Sequence, residues 1–143
     1  MKKDEQHNIT WEHRQAELWD RIFQVTQDVV TLGQTLESEG SAVVRDEMIK
    51  AATAVGIHMV RANAADQADE FKHHLTEARL KAIETDYWLR ISFVLQQDEE
   101  AQKDLSSILS QYTAIVDLLH KLSQHVAGEP GAVSKHTKGP LVS

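Results

Sequence analysis

The chain has 143 residues, of which 41% are hydrophobic and 26% charged, and its formal net charge is −7. This length suits one domain, and the acidic balance makes the chain as a whole a poor nucleic-acid binder, because phosphate contacts need clustered Lys and Arg. The sequence has no cysteine, no apolar N-terminal signal segment and no apolar run of membrane length, so we exclude disulfides and thiolate chemistry and expect a cytoplasmic protein.

The first predicted helix begins with Thr10 as its N-cap and ends in the Gly-containing segment 37–40. Its main apolar stripe recurs at alternating steps of four and three residues: Trp11, Gln15, Leu18, Ile22, Val25, Val29, Leu32 and Leu36. A second stripe lies beside it and is formed by Trp19, Phe23, Thr26, Val30 and Gly33. Two adjacent stripes make a wide apolar face, which favours packing in a bundle over a two-stranded coiled coil.

The second predicted helix covers residues 42–62 and has many small side chains. Its stripe consists of Val44, Met48, Ala51, Val55, Met59 and Ala62. Gly56 should cost about 1 kcal/mol relative to Ala inside a helix. Close approach of another helix is one reason that a glycine could be tolerated there.

The third predicted helix begins near Asp66, which we interpret as its cap, and ends near residue 96. Its stripe consists of Phe71, Leu75, Ala78, Ala82, Thr85 and Leu89, and its C-terminal half is widened by Ile83, Tyr87, Trp88, Ile91 and Leu95. The segment before it contains neither Gly nor Pro. One long kinked helix over the second and third segments therefore remains an alternative.

The fourth predicted helix begins at Asp98, a favourable cap, and stops at the Gly-Pro-rich segment 128–131. Its stripe keeps the four-three spacing through Ala101, Leu105, Ile108, Tyr112, Ile115, Leu119, Leu122 and Val126. We thus expect an all-α, up-down-up-down antiparallel four-helix bundle over residues 10–127, since short loops join antiparallel neighbours. Residues 1–9 are expected to be a flexible N-terminus, and residues 128–143 a disordered tail.

Several motifs together resemble one protein family. Trp19 is followed by Ile22 and Phe23, a small-residue segment follows Met48, and Glu70-Phe71 precedes the run Glu84-Thr85-Asp86-Tyr87-Trp88-Leu89. This pattern, spread over residues 11–126, resembles the bacterial four-helix-bundle proteins encoded in 23S ribosomal RNA intervening sequences. Their relatives include the accessory protein of diversity-generating retroelements. The resemblance implies a non-catalytic bundle that forms a five-fold ring, a homopentamer, and implies nucleic-acid binding in some members.

Two groups of residues are candidates for intermolecular contacts. Nucleic-acid or partner contacts are assigned to Lys50, His58, Arg61, Lys72, Arg79, Lys81 and Arg90. A subunit interface is assigned to Tyr87, Trp88 and Ile91. Because Tyr87 and Trp88 are adjacent in sequence, they cannot share one helix face, so one should pack inside while the other reaches the interface. An equally weighted alternative places all three in the core.

Metal and catalytic chemistry has weak support in the sequence. Glu70-x-x-His73 and Asp117-x-x-His120 have the spacing of half di-metal sites, but they flank the apolar stripes, so we interpret them as surface residues. For the pair His73-His74 we favour a solvated helix face over weak zinc binding with Glu77. Nucleophile elbows and Gly-rich phosphate loops are missing. We therefore expect neither catalytic residues nor a cofactor nor a metal.

The sequence thus predicts a non-catalytic, self-assembling bundle that acts as scaffold or adaptor for a protein or ribonucleoprotein partner. The alternative function is RNA or DNA binding of the ribosomal-insert and retroelement-accessory type. That alternative predicts that the cationic side chains gather on one surface. A metal-dependent bundle enzyme is a weaker rival, and no membrane partner is expected.

Overall fold

The computed structural model describes the backbone of residues 2–36 and 42–128 and the side chains of residues 15–36 and 42–125. It contains four helices: α1 (Lys2–Thr35), α2 (Ala42–Ala64), α3 (Ala68–Leu95) and α4 (Glu99–Gly128). No strand occurs in the described residues. The all-α four-helix fold is therefore confirmed. No helix in this part of the chain combines the length and the hydropathy needed to cross a membrane.

The core is built from the four predicted stripes. Buried side chains from every helix form one hydrophobic cluster, in which Ile22, Val55, Leu75 and Ile115 are fully or almost fully enclosed. Each such aliphatic side chain contributes about 1.5–3 kcal/mol by leaving water. Tyr112 also lies in this cluster. The side chains of Trp11 and Val126, which the spacing assigned to the core, lie outside the described residues.

Within the bundle, each helix packs against the helices that precede and follow it in the sequence, and α1 also packs against α4. Helices α2 and α3 form an antiparallel hairpin, since Met48 contacts Ser92 at one end while His58 contacts His74 further along. They are separate helices joined by residues 65–67. The alternative of one long kinked helix is therefore wrong.

The helix boundaries agree with the sequence in some places and differ in others. At α4, Asp98 is the cap, because its Oδ2 accepts a hydrogen bond from the Ala101 backbone N–H at 3.2 Å. At α3 the N-cap is Gln67, without a side-chain cap bond, so the assignment of Asp66 is wrong. Helix α1 begins at Lys2, which places Thr10 inside it. The predicted end of the first helix at residues 37–40 lies outside the described residues. Of the predicted tail over residues 128–143, Gly128 belongs to α4, and residues 129–143 lie outside the described part of the chain.

The two glycines Gly33 on α1 and Gly56 on α2 differ in the space around them. At Gly33, an added Cβ would lie 2.7 Å from the Ile49 Cδ1 atom, so α1 and α2 are close at this level. At Gly56, nothing lies within 4 Å of the corresponding position. The expected close approach of a helix at Gly56 is therefore wrong within the chain, whereas Gly33 is the glycine at a tight contact.

Candidate assembly surface on α3

The outward face of α3 carries a row of apolar side chains that the bundle leaves in solvent. Leu80, Ile83, Tyr87 and Val94 are exposed, with 57% of Tyr87 and 78% of Val94 accessible. Their spacing of three, four and seven residues places them on one stripe, opposite the buried stripe that runs from Phe71 to Ser92. We call these four residues the outer seam. An exposed apolar row of this kind is typical of a surface that contacts another molecule.

Charged residues border the outer seam with opposite signs on its two sides. Lys72 and Arg79 are seven residues apart and lie on one side. Glu70, Glu77 and Glu84 repeat at the same interval and lie on the other side. The Nε atom of Arg79 is buried and has no hydrogen-bond partner among the described residues. This arrangement has the form of a helix–helix seam with flanking charges, in which the flanks set the orientation of the partner.

The three residues assigned to a subunit interface occupy different environments. Tyr87 is exposed and belongs to the outer seam, while Trp88 is half-buried and packs against the core cluster. Their rings meet edge to face with centroids 5.2 Å apart. Ile91 is half-buried beside the seam. The structure thus places the tyrosine outside and the half-buried tryptophan against the core, so the alternative with all three residues in the core is wrong for Tyr87.

The cationic candidates are distributed over two helices and differ in their partners. On α3, Lys81 pairs with Glu84 at 3.2 Å and Arg90 pairs with Asp86 at 2.8 Å. The hydrogen bond to Asp86 raises the pKa of the Arg90 guanidinium. Among the cationic candidates, the exposed side chains that have no described carboxylate within ion-pair distance are those of Lys50, Arg61 and Lys72. Lys50 and Arg61 lie on α2, and Lys72 lies on α3.

His58 contacts α3 rather than solvent alone. Its Nδ1 atom lies 3.3 Å from the Nδ1 atom of His74, and both rings are half-buried. Burial lowers the pKa of His58, and Arg61, Lys81 and His74 lower it further, whereas Glu77 raises it. The expectation of a solvated face for the histidine pair on α3 therefore holds for the exposed His73 and is wrong for His74.

The two motifs with half di-metal spacing lie on the surface. Glu70 and His73 on α3, and Asp117 and His120 on α4, are all exposed, as the flanking positions predicted. Among the described residues, no group of three or more His, Cys, Asp or Glu side chains converges as a metal site would require. These motifs do not form a di-metal centre inside the bundle.

The architecture and the outer seam define the class of the protein as an all-α four-helix bundle with a second, exposed apolar face. Residues 14–121 match the 23S rRNA-intervening sequence protein family, and the chain belongs to that family. A crystal structure of a protein of unknown function from the S23 ribosomal protein family of Bacteroides thetaiotaomicron is similar. Its TM-score is 0.70 at 22% identity, over 78% of this chain and 98% of that one. At this identity the likeness shows the fold. No curated protein matches the chain.

Sequence reasoning missed two features of the surface. Leu80 and Val94 were in no predicted stripe, although their spacing of seven from Tyr87 in both directions could have identified the outer seam. The contact between His58 and His74 was also missed. The sequence contains no signal for it, because the pairing depends on the register between two antiparallel helices.

Proposed function

We propose that the protein is a non-catalytic scaffold that assembles with copies of itself, and that the outer seam of α3 is the surface through which the copies meet. The observation that carries this proposal is the outward apolar row of Leu80, Ile83, Tyr87 and Val94. Burying such side chains between copies removes from water an apolar area that the single bundle leaves exposed. The assembled bundle would then present its remaining faces to a protein or ribonucleoprotein partner.

The charges beside the seam favour a second copy as its occupant, in a parallel arrangement. When two such helices run parallel, a residue on the basic side of the seam in one copy lies beside a residue on the acidic side in the other copy. The second residue is five positions further along the sequence. This pairs Lys72 with Glu77 of the neighbouring copy, and Arg79 with Glu84. An antiparallel pair would instead place the acidic flanks against each other. Parallel α3 helices repeated around one axis close into a ring, which agrees with the five-fold assembly that the family resemblance implies.

Native mass spectrometry of wild type and of an Ile83→Glu/Tyr87→Glu variant tests the proposal. We expect a closed oligomer for wild type and a monomer with unchanged helix content for the variant, because both side chains are exposed in the single bundle. A Thr113→Glu variant adds a charge at an exposed position of α4 and serves as the matched control. A monomeric wild type, or a double variant that still assembles, would contradict the proposal.

A charge exchange in the same experiment tests the parallel arrangement. Arg79→Glu should weaken assembly, and the exchange Arg79→Glu/Glu84→Arg should restore it, since opposite charges then face each other again. Arg21→Glu, at an exposed position of α1, makes the same charge change away from the seam. If the exchange variant assembles no better than Arg79→Glu, the copies do not meet in the proposed orientation.

Nucleic-acid binding is the second candidate function, and the exposed cations Lys50, Arg61 and Lys72 favour it. The family name, which refers to intervening sequences of 23S rRNA, points the same way. Retention of RNA by the purified oligomer, with affinity that falls steeply as salt rises, would support this role. It should weaken in a Lys50→Glu/Arg61→Glu variant that still assembles. Assembly without retained RNA at low salt leaves the scaffold as the function.

A further inference from the structure

We propose that His58 and His74 form a two-imidazole site that binds one divalent transition-metal ion of the zinc class between α2 and α3. The two Nδ1 atoms are 3.3 Å apart. A tetrahedral zinc ion bound at 2.0–2.1 Å by two nitrogens separates those nitrogens by about 3.3–3.4 Å. The observed separation therefore accommodates the ion with little movement of either helix.

The two rings face each other through their Nδ1 atoms. Their centroids lie 5.5 Å apart and their planes are inclined by 29°, so the two Nδ1 atoms are the points at which the rings approach each other. Both residues stand on long helices that pack extensively, which fixes the two donors relative to each other. Such preorganisation lowers the entropic cost of binding.

The hydrogen bond between the two rings allows a tautomer in which both Nδ1 atoms are free to bind a metal. Imidazole binds a metal through a neutral nitrogen, so each ring must offer an unprotonated Nδ1 atom to the ion. In the metal-free pair, one Nδ1–H donates to the other Nδ1. When the donor ring shifts its proton to Nε2, both Nδ1 lone pairs face the ion, and no net proton is released.

The surroundings supply one negative charge close to the pair. Glu77 lies one turn after His74 on α3 and acts electrostatically on His58, against the positive charges of Arg61 and Lys81. No third His, Cys, Asp or Glu side chain converges with the pair in the described residues. We therefore assign two protein ligands and water in the remaining positions, with Glu77 as a carboxylate that attracts the cation and orients a bound water. Imidazole donors select zinc, nickel or copper over magnesium, which prefers oxygen.

Isothermal titration of Zn²⁺ into the untagged, chelator-treated full chain tests the site. We expect one ion per chain, no binding of Mg²⁺, and an affinity at least roughly tenfold lower in His58→Gln and in His74→Gln. Glu77→Gln should weaken binding by a smaller factor. His73→Gln and His120→Gln remove exposed histidines and should leave the affinity unchanged.

A second readout separates loss of the site from loss of the fold. Wild type should melt at a higher temperature in the presence of Zn²⁺, and the two site variants should show the helix content of wild type but no such shift. Equal weakening in all four histidine variants, or zinc binding in wild type no tighter than in His58→Gln, would overturn the proposal. These outcomes are independent of the oligomeric state, which is measured on the same samples.

Discussion

At the scale of single residues, Tyr112 is the most unusual member of the core. Its hydroxyl group is buried and has no hydrogen-bond partner among the described residues. Thr26 lies near it, and the Thr26 hydroxyl donates its own proton to the Ile22 carbonyl at 2.7 Å. Burial raises the pKa of Tyr112 well above its ordinary value. The residue therefore contributes the packing of its ring, while its hydroxyl carries the cost of lost hydration.

Replacing Tyr112 with Phe should raise the free energy of unfolding at neutral pH by about 1 kcal/mol, because the ring is kept and the unpaired hydroxyl is removed.

The free energy of unfolding of wild type should also fall at alkaline pH. An unfolded chain ionises this tyrosine near pH 10, whereas the folded chain resists ionisation, so the stability of wild type is lost as pH rises from about 10 towards the folded pKa. Urea unfolding at neutral and alkaline pH, at fixed chain concentration, measures both effects.

A matched variant makes the Tyr112 result specific. Tyr87→Phe removes an exposed hydroxyl from the other tyrosine and should leave the stability at neutral pH unchanged. If Tyr112→Phe destabilises the protein by more than about 1 kcal/mol, the hydroxyl makes a stabilising hydrogen bond, through an ordered water for example, and the assignment as an unsatisfied group is wrong.

At the scale of helices, the predictions that succeeded are those that depend on local chemistry. Asp98 could be identified as a cap because a short acidic side chain before Glu99 satisfies free backbone N–H groups whatever the rest of the fold does. Asp66 looked equivalent, but the chain turns one residue later, and Gln67 occupies the cap position without a side-chain bond. The position of that turn follows from how α2 and α3 pack, which the local sequence does not determine.

Asp98→Ala should lower the free energy of unfolding by about 1 kcal/mol, because the backbone N–H of Ala101 loses its acceptor at the start of α4. Asp66→Ala is the matched control and should change stability by less than about 0.5 kcal/mol. Chemical denaturation of both variants distinguishes them. An equal loss in both would mean that acidic charge near a helix start, rather than the hydrogen bond, stabilises the structure.

The same contrast applies to the helix faces. The buried stripes were predictable because the four-three spacing places side chains on one side of a helix. In α3, the stripe residues from Phe71 to Leu89 are all buried, as the spacing requires. In the second stripe of the first helix, Trp19 packs against the core and Gly33 is buried, whereas Phe23 remains 62% exposed. Spacing identifies a face but does not say whether the chain itself covers it. The contact of His58 with His74 and the open space at Gly56 depend in the same way on the neighbouring helix.

At the scale of the whole molecule, packing is uneven among the helices. α3 packs extensively against both α2 and α4, whereas α1 packs less extensively against α2 and α4 in the described residues. α1 and α3 are diagonal in the bundle, because the principal contacts of each are with α2 and α4. The proposed ring, with the outer seam of α3 near its axis, would therefore leave α1 on the outside, where its charged residues would remain in water.

Hydrogen exchange should reveal this difference as a difference in local stability. Segments with fewer buried contacts open at lower free energy, so we expect amides in residues 15–35 of α1 to exchange at least roughly tenfold faster than those in the centre of α3. In the proposed assembly, dilution that separates the copies should lower the protection of α3 at the outer seam more than that of α1. Peptide-resolved mass spectrometry at two chain concentrations measures both. Uniform exchange of all four helices would mean that α1 unfolds together with the rest as one cooperative unit.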